Sequence, residues 1–422
     1  MTDSVFNMPG ASTPNNFLHP IEITREYLST LTNNLVMVKH CYKGYSENNY
    51  GNANPKEGDT LRVRLPNRFK SSLGAEIGTN DLSSVDEISV PVQLTTRRKM
   101  ALGATTQDFS LYIDDFNKLF LSPAATQMAN DIDFDAADLY KDVYNCVGSA
   151  TAIPSSLKLF LDAGTVLDNN SVPRDGQRWA TLTSATMGSM VDALKGLFQD
   201  SGLIGKQYRS GMLGITGGFQ FEMSQNMKKH TSGNYGTSAE LKVDMVEGSD
   251  QIVIDTFAGV SGTPSFAVGD IISIAGVDAV NMSNKQTVGL SQQFTIKSAT
   301  WNSGNSDMTC TISPTPIASP TDPYQNVSAL ASAADTVSFE VEENITYAVN
   351  LCFHEEAFCF VSANLPIQGG VDYGASETIE GVNTRILRQY QFMSDTSPTR
   401  MDVLYGMKTT RPEMAVRVIS KE

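Results

Sequence analysis

Histidine is scarce in this sequence: 422 residues hold four, His19, His40, His230 and His354. They are the first place to look for acid–base or metal chemistry, because imidazole is the common proton carrier and metal ligand near neutral pH. Only His354 stands beside paired carboxylates, in His354-Glu355-Glu356. It lacks the HExxH spacing and a second histidine nearby, so a surface or packing role is expected and no metal. The five cysteines (Cys41, Cys146, Cys310, Cys352 and Cys359) are odd in number and form no CxxC pair. They fit free, buried thiols in a reducing compartment better than a disulfide framework. The N-terminus has no signal-peptide core, and no apolar run approaches the roughly 20 residues that cross a bilayer. A cytoplasmic product without membrane contact is expected.

Phosphate-binding loops are missing too. Residues 202–206 (GLIGK) lack the leading glycine, and Gln207 stands where Ser or Thr holds magnesium. Residues 211–218 (GMLGITGG) have no strand-to-helix context and no acidic residue placed for a ribose. No nucleophile elbow occurs. Basic charge is in deficit, 31 Lys and Arg against 46 Asp and Glu, a net −15. Such a chain does not wrap nucleic acid tightly, although a surface of it can face nucleic acid without sticking. Neither an enzyme nor a cofactor is expected.

What is present describes a folded protein, 41% hydrophobic and 18% charged, long enough for two or three domains. Residues 122–146 predict one long helix, with Ser122 as cap and Pro123 at its first position. Ala125, Met128, Ile132, Ala136, Leu139 and Val143 make its apolar stripe, and Met128, Ile132, Leu139 and Val143 are its expected packing residues. Its length would be roughly 35 Å at 1.5 Å per residue. Asp131, Asp133, Asp135, Asp138 and Asp142 fall mostly on the other faces, read as a solvated or interface side.

In chain order, residues 1–20 read as an irregular arm and 21–38 as a helix, with turns at 42–58. Alternating strands at 60–65 and 88–94 flank a polar excursion, 73–86. This predicts a long two-stranded arm with little core of its own, which needs a neighbour to lie on. Phe109, Ile113, Phe116 and Phe120 form a second helical stripe. Residues 147–168 read as short apolar pieces and turns, 183–198 as a helix and 208–222 as strand-like. From 223 to 345 no helical stripe exceeds a turn or two. Short β-like runs follow instead at 241–245, 251–257, 271–274, 292–296, 308–312 and 336–341, separated by turn-rich sequence. A closed all-β barrel is the expected result, since closure hides strand edges. It carries thirteen acidic residues and five lysines, a net −8. Beyond 346 a sheet resumes, so the barrel is read as an insertion. The expected divisions are 1–49 (arm and helix), 50–100 (extended β-arm), 101–222 (long helix and core), 223–345 (barrel) and 346–422 (return to the core sheet).

Arg62, Arg64, Arg68, Lys70, Arg97, Arg98 and Lys99 cluster on the predicted arm of an otherwise acidic chain. Opposite patches on one molecule favour head-to-tail self-association. These residues, with Asp250 and Asp255 of the barrel, are the candidate inter-subunit contacts. The alternative is routine salt bridging.

Four stretches carry a resemblance: 268–277 (VGDIISIAGV), 311–315 (TISPT), 358–367 (FCFVSANLPI) and 405–416 (YGMKTTRPEMAV). With the order of elements, they resemble the major capsid (coat) proteins of tailed bacteriophages, more narrowly the P22-like coat proteins of short-tailed Salmonella phages. The resemblance implies an α+β, HK97-like phage capsid fold with an extended arm, a long spine helix and an inserted β-barrel. It implies pentamers and hexamers in an icosahedral shell, assembled in the host cytoplasm with a scaffolding protein and a portal protein. Double-stranded DNA would face the inner wall without sequence-specific binding, and the precursor shell would expand on packaging. In such relatives a charged loop of the insertion contacts neighbours; here 276–291 is comparatively uncharged. Two rival readings are a cellular encapsulating shell and a ligand-binding or adhesin module carried by the barrel. The second would need an aromatic-lined groove, and the insertion offers only Trp301, Tyr235, Tyr324 and a few Phe.

Overall fold

The computed structural model describes residues 20–44, 60–69, 75, 88–103, 120–194 and 213–421. The predicted arm at 1–19, most of the 73–86 excursion, Lys70, the 109–116 stripe and the 202–206 loop lie outside them.

Helix α1 (Pro20–Asn34) opens the described chain and buries Tyr27, Leu28 and Leu31. Strands β1 (Thr60–Arg64) and β2 (Ser89–Gln93) pair antiparallel, Leu61 opposite Val92 and Val63 opposite Val90. Strand β3 (Thr96–Leu102) follows, then α2 (Ser122–Ala137), a 3-10 turn (Asp138–Asp142) and β4 (Cys146–Gly148). Next come α3 (Lys158–Asn169), β5 (Arg178–Leu182), α4 (Ser184–Leu194), β6 (Ile215–Thr216), β7 (Phe219–Met223) and β8 (Lys229–Thr231). The barrel strands are β9 (Ser238–Leu241), β10 (Gln251–Ala258), β11 (Ile271–Val280), β12 (Thr287–Asn302), β13 (Asp307–Ser313) and β14 (Thr336–Phe339). The chain ends with β15 (Thr346–His354), β16 (Phe358–Ala363), β17 (Tyr373–Ile379), β18 (Val382–Arg388), β19 (Thr399–Thr409) and β20 (Ala415–Lys421).

The six barrel strands close in the order β10-β13-β12-β11-β14-β9. Alternation along them fills the interior: Leu241, Ile252, Ile254, Ile274, Phe294, Ile296, Met308 and Ile312 are all buried. An interior packed with side chains is what a small barrel needs to be stable, and it leaves no ligand groove there. The chain enters and leaves the barrel at one place. Ser232 N–H donates to the Ile345 carbonyl at 3.0 Å, and Asn344 N–H to the Gly233 carbonyl at 3.1 Å. Two core sheets carry this insert. One runs β4-β20-β15-β5-β7-β6 with β8 added to β15; the other runs β16-β19-β18-β17 with β3 added to β19. Among the described residues no helix is long and apolar enough to cross a membrane.

Three expectations change. The long helix stops at Ala137, 16 residues or about 24 Å. Ser122 does not cap it: Leu121 holds the cap position and no side-chain cap bond forms. Beyond the 3-10 turn the Lys141 carbonyl accepts from Thr295 Oγ1 at 3.1 Å and the Val143 carbonyl from Arg417 Nε at 2.6 Å, so these groups bond to the barrel and β20 and not within a helix running on to 146. Met128, Ile132 and Val143 are buried, Val143 in extended backbone, and Leu139 is half-buried. Second, 158–169 is helical, burying Phe160, Ala163, Gly164 and Leu167, where only short pieces were read. Third, the base of the arm has a neighbour within its own chain. Leu61, Val63, Val92 and Leu94 pack on Cys359, Val361 and Ala363 of β16. The approach is close enough that a Cβ on Gly406 would sit 2.1 Å from the Gln93 carbonyl oxygen, which is why a glycine stands there.

Candidate assembly surfaces and the barrel joint

The aspartates of α2 and the turn after it are mostly bound, not solvated. Asp133 is buried and accepts from Val36 N–H at 2.6 Å and Val38 N–H at 3.1 Å, fixing the chain just after α1. Burial pushes its carboxyl up to about 6, against the two backbone donors that favour the anion. Asp135 takes Arg98 in a two-toothed pair, at 2.7 and 3.1 Å, and the Tyr405 hydroxyl. Asp142 pairs with Lys297 of the barrel. Burial raises the Asp142 carboxyl, but the Lys297 charge and hydrogen bond outweigh that and leave it below its ordinary value.

Asp133 gives a testable pH effect. Its pKa is raised on folding, so the ionised form is the costly one. Its contribution is fully present below about pH 4 and is lost as pH rises through about 6, worth about 3 kcal/mol over the window. Asp133→Asn should therefore flatten that part of the stability–pH curve. Urea unfolding at pH 4, 5, 6 and 7 checks it: the gap between wild type and variant should change steadily across pH 4–6 and stay constant above.

The barrel meets the core through a buried polar joint. Arg417, at the centre of β20, is completely buried. Its guanidinium donates to the carbonyls of Val143 and Gly269, each at 2.6 Å, and to Thr295 Oγ1 at 2.9 Å. Beside it, Tyr140 hydroxyl and His230 Nδ1 lie 2.8 Å apart, and His230 Nε2 lies 2.9 Å from Asp270 Oδ1. Asp270 Oδ2 accepts from Ala267 N–H at 2.7 Å and Gly233 N–H at 3.1 Å. The Gln293 amide pairs with both backbone groups of Cys146, at 2.6 and 3.1 Å, as a short strand would. Gly269 sits at φ +105°, and a Cβ there would press on Lys141 and His230 at 3.2 and 3.3 Å. Tyr140, His230 and Asp270 resemble a proton relay only in composition. All three are buried, and each side chain is occupied in tying the elements together.

The predicted basic cluster divides. Arg68 pairs with Glu413 at 2.9 Å, Arg97 with Asp402 at 2.9 Å and Arg98 with Asp135. These are contacts inside one subunit, the routine salt bridging held as the alternative. Arg62, Arg64 and Lys99 are exposed, as is Asp250, and Asp255 is half-buried. Arg385 and Arg400, absent from the predicted cluster, also bind Asp402, at 2.6 and 2.7 Å. They sit about 300 residues from Arg97, on the strands Val382–Arg388 and Thr399–Thr409. His354 packs: it is buried, lies 3.2 Å from Asp175, and its Nδ1 accepts from Glu356 N–H at 3.3 Å. Among the described residues no three His, Cys, Asp or Glu are grouped to hold a metal ion.

An inserted closed barrel, a two-stranded arm base folded on a sheet edge and two core sheets narrow the class, and the family model for "P22 coat protein - gene protein 5" matches residues 21–419. The chain belongs to the P22 coat protein family. It is a self-assembling major capsid protein, the subunit of the icosahedral shell of a tailed double-stranded-DNA phage and a component of the virion, not an enzyme. This match also decides against the cellular shell and the adhesin. Solved structures similar to this coat protein include one from Mycobacterium phage Che8, at 13% identity, 91% of this chain, 90% of that chain and TM-score 0.44. The I-domain of the CUS-3 coat protein matches at 26% identity over 24% of this chain and 94% of its own, TM-score 0.18. A virus-like particle from Pyrococcus furiosus matches at 8% identity over 94% and 97%, TM-score 0.36. No curated protein sequence matches the coat protein.

Proposed function

We propose that this coat protein builds its shell as an HK97-like subunit, in pentamers and hexamers, with the two-stranded pair at 60–64 and 89–93 as part of its extended arm. A scaffolding protein guides assembly in the host cytoplasm, a portal protein occupies one vertex, and packaged DNA faces the inner wall without sequence-specific contact. The divisions 1–49, 50–100, 101–222, 223–345 and 346–422 are the units of that subunit. The net −15 of the chain carries this reading, since it suits a wall that packaged DNA slides past. Arg62 and Lys99, exposed and without an ion-pair partner among the described residues, together with Asp250 and Asp255 remain the proposed contacts between subunits.

Expression with and without the neighbouring phage genes tests the partners. Uniform closed shells with the scaffolding protein, and irregular or open assemblies without it, are expected. Identical uniform shells from the coat protein alone would overturn the scaffolding role.

A further inference from the structure

One face of the β3-β19-β18 sheet is strongly cationic. Lys99 and Arg385 both stand directly opposite Asp402, so the three share a row across the strands. Arg97 and Arg400 lie two residues along from Lys99 and Asp402, on the same face by strand alternation. Three guanidiniums converge on Asp402, whose side chain is 0% exposed, and one carboxylate cannot neutralise them. Four cations against one anion leave a formal +3 on a chain of −15. Arg97 and Arg400 keep 40% and 41% of their side-chain surface, and Lys99 is exposed. Arg385 is 8% exposed, and its buried Nε has no partner among the described residues. The opposite face, with Met401, Val403 and Tyr405, is core. Along the cationic face the arm base packs on β19 at Leu404, the residue opposite Arg97, and Arg97 still keeps 40% of its side-chain surface.

We propose that this face is a docking surface for carboxylates of a second copy of the chain. It rests on the shell reading above, which supplies the second copy. Charge complementarity chooses the occupant: the chain is net acidic, and the 244–250 segment of the barrel exposes Asp244, Glu247 and Asp250. Buried Asp402 sets the guanidiniums in place, so docking costs little ordering of the arginines. Exposed partners on both sides tune encounter and register more than raw affinity, and salt weakens them.

Shells assembled from mixed unlabelled and ¹⁵N-labelled subunits, treated with a zero-length carbodiimide crosslinker, test this. Lys99 peptides joined to a carboxylate peptide of the other isotope are expected. Arg400→Gln and Lys99→Glu should slow assembly at least tenfold at low salt, with the gap shrinking at high salt. Lys99 has no ion pair among the described residues, so its variant reports on docking even where Arg400→Gln disturbs Asp402. Crosslinks only within one chain, with both variants assembling at the wild-type rate, would overturn the proposal. Normal assembly with loss of packaged DNA would overturn it in favour of phosphate contact. Failure of wild type to assemble in the same experiment would instead strike the shell reading itself.

Discussion

Replacing Arg417 by alanine should lower the unfolding free energy of the subunit by about 4 kcal/mol, the scale for breaking a fully buried charged cluster. The side chain is completely enclosed and serves three acceptors from three segments: Val143 after α2, Gly269 before β11 and Thr295 in β12. Removing it strands two buried carbonyls, each costing about 1–3 kcal/mol, and opens a cavity between sheet and barrel. Burial pulls the guanidinium's pKa down from its ordinary value, yet an arginine remains charged, so the joint holds a real ion. Arg417→Met separates the two costs. It restores most of the volume and removes the buried charge while leaving the carbonyls unpaired, and about half the loss should return. Urea unfolding of the unassembled subunit reads both variants. A loss under about 1 kcal/mol for alanine would show that the joint does not hold the barrel.

The second large effect concerns the barrel as a whole. Its entry and exit strands are hydrogen-bonded to each other, so excising residues 234–343 and joining Gly233 to Asn344 leaves a short closure. If the barrel were a passive insert, the core would fold unchanged. The joint says otherwise. Excision removes the Gln293 amide from Cys146, Thr295 from the Lys141 carbonyl, Lys297 from Asp142 and Asp270 from His230. The segment from Asp138 to Cys146, which follows the helix, loses the partners that hold it. At about 1 kcal/mol for each net hydrogen bond the core loses about 5 kcal/mol, comparable to the whole stability of many domains. The isolated barrel keeps its closed ring and its own apolar interior, so it should unfold cooperatively alone. Circular dichroism melts of the two fragments check the asymmetry. An excised core as stable as the full subunit would contradict it.

The barrel was legible because its signals are local. Alternation such as Gln251 to Phe257 and turns such as Gly269-Asp270 need no knowledge of distant residues, and strands formed at five of the six predicted runs; the first formed just before, at Ser238–Leu241. The end of α2 was not legible, since Leu139 and Val143 continue the apolar period. The carbonyls of Lys141 and Val143, which a helix running on to 146 would use, are taken by Thr295 and Arg417, more than 150 residues away. Arg417 itself, set between Val416 and Val418, looks like the solvent-facing member of an alternating strand. It is buried because the barrel lies over that face. The basic cluster shows the same limit: the alternation of Arg97, Arg98 and Lys99 separates two faces, but Asp402 and Asp135, which take them, are remote in sequence. The stripe of α3 was present in Phe160, Ala163 and Leu167, diluted by Gly164 and Thr165.

Electron cryomicroscopy of particles formed by the wild-type chain expressed with the neighbouring phage genes tests the central claim most directly. The account predicts closed icosahedral shells in which every subunit holds its barrel in one orientation on the core, with Arg417 enclosed. A folded subunit that stays monomeric, or forms only open aggregates, would contradict it.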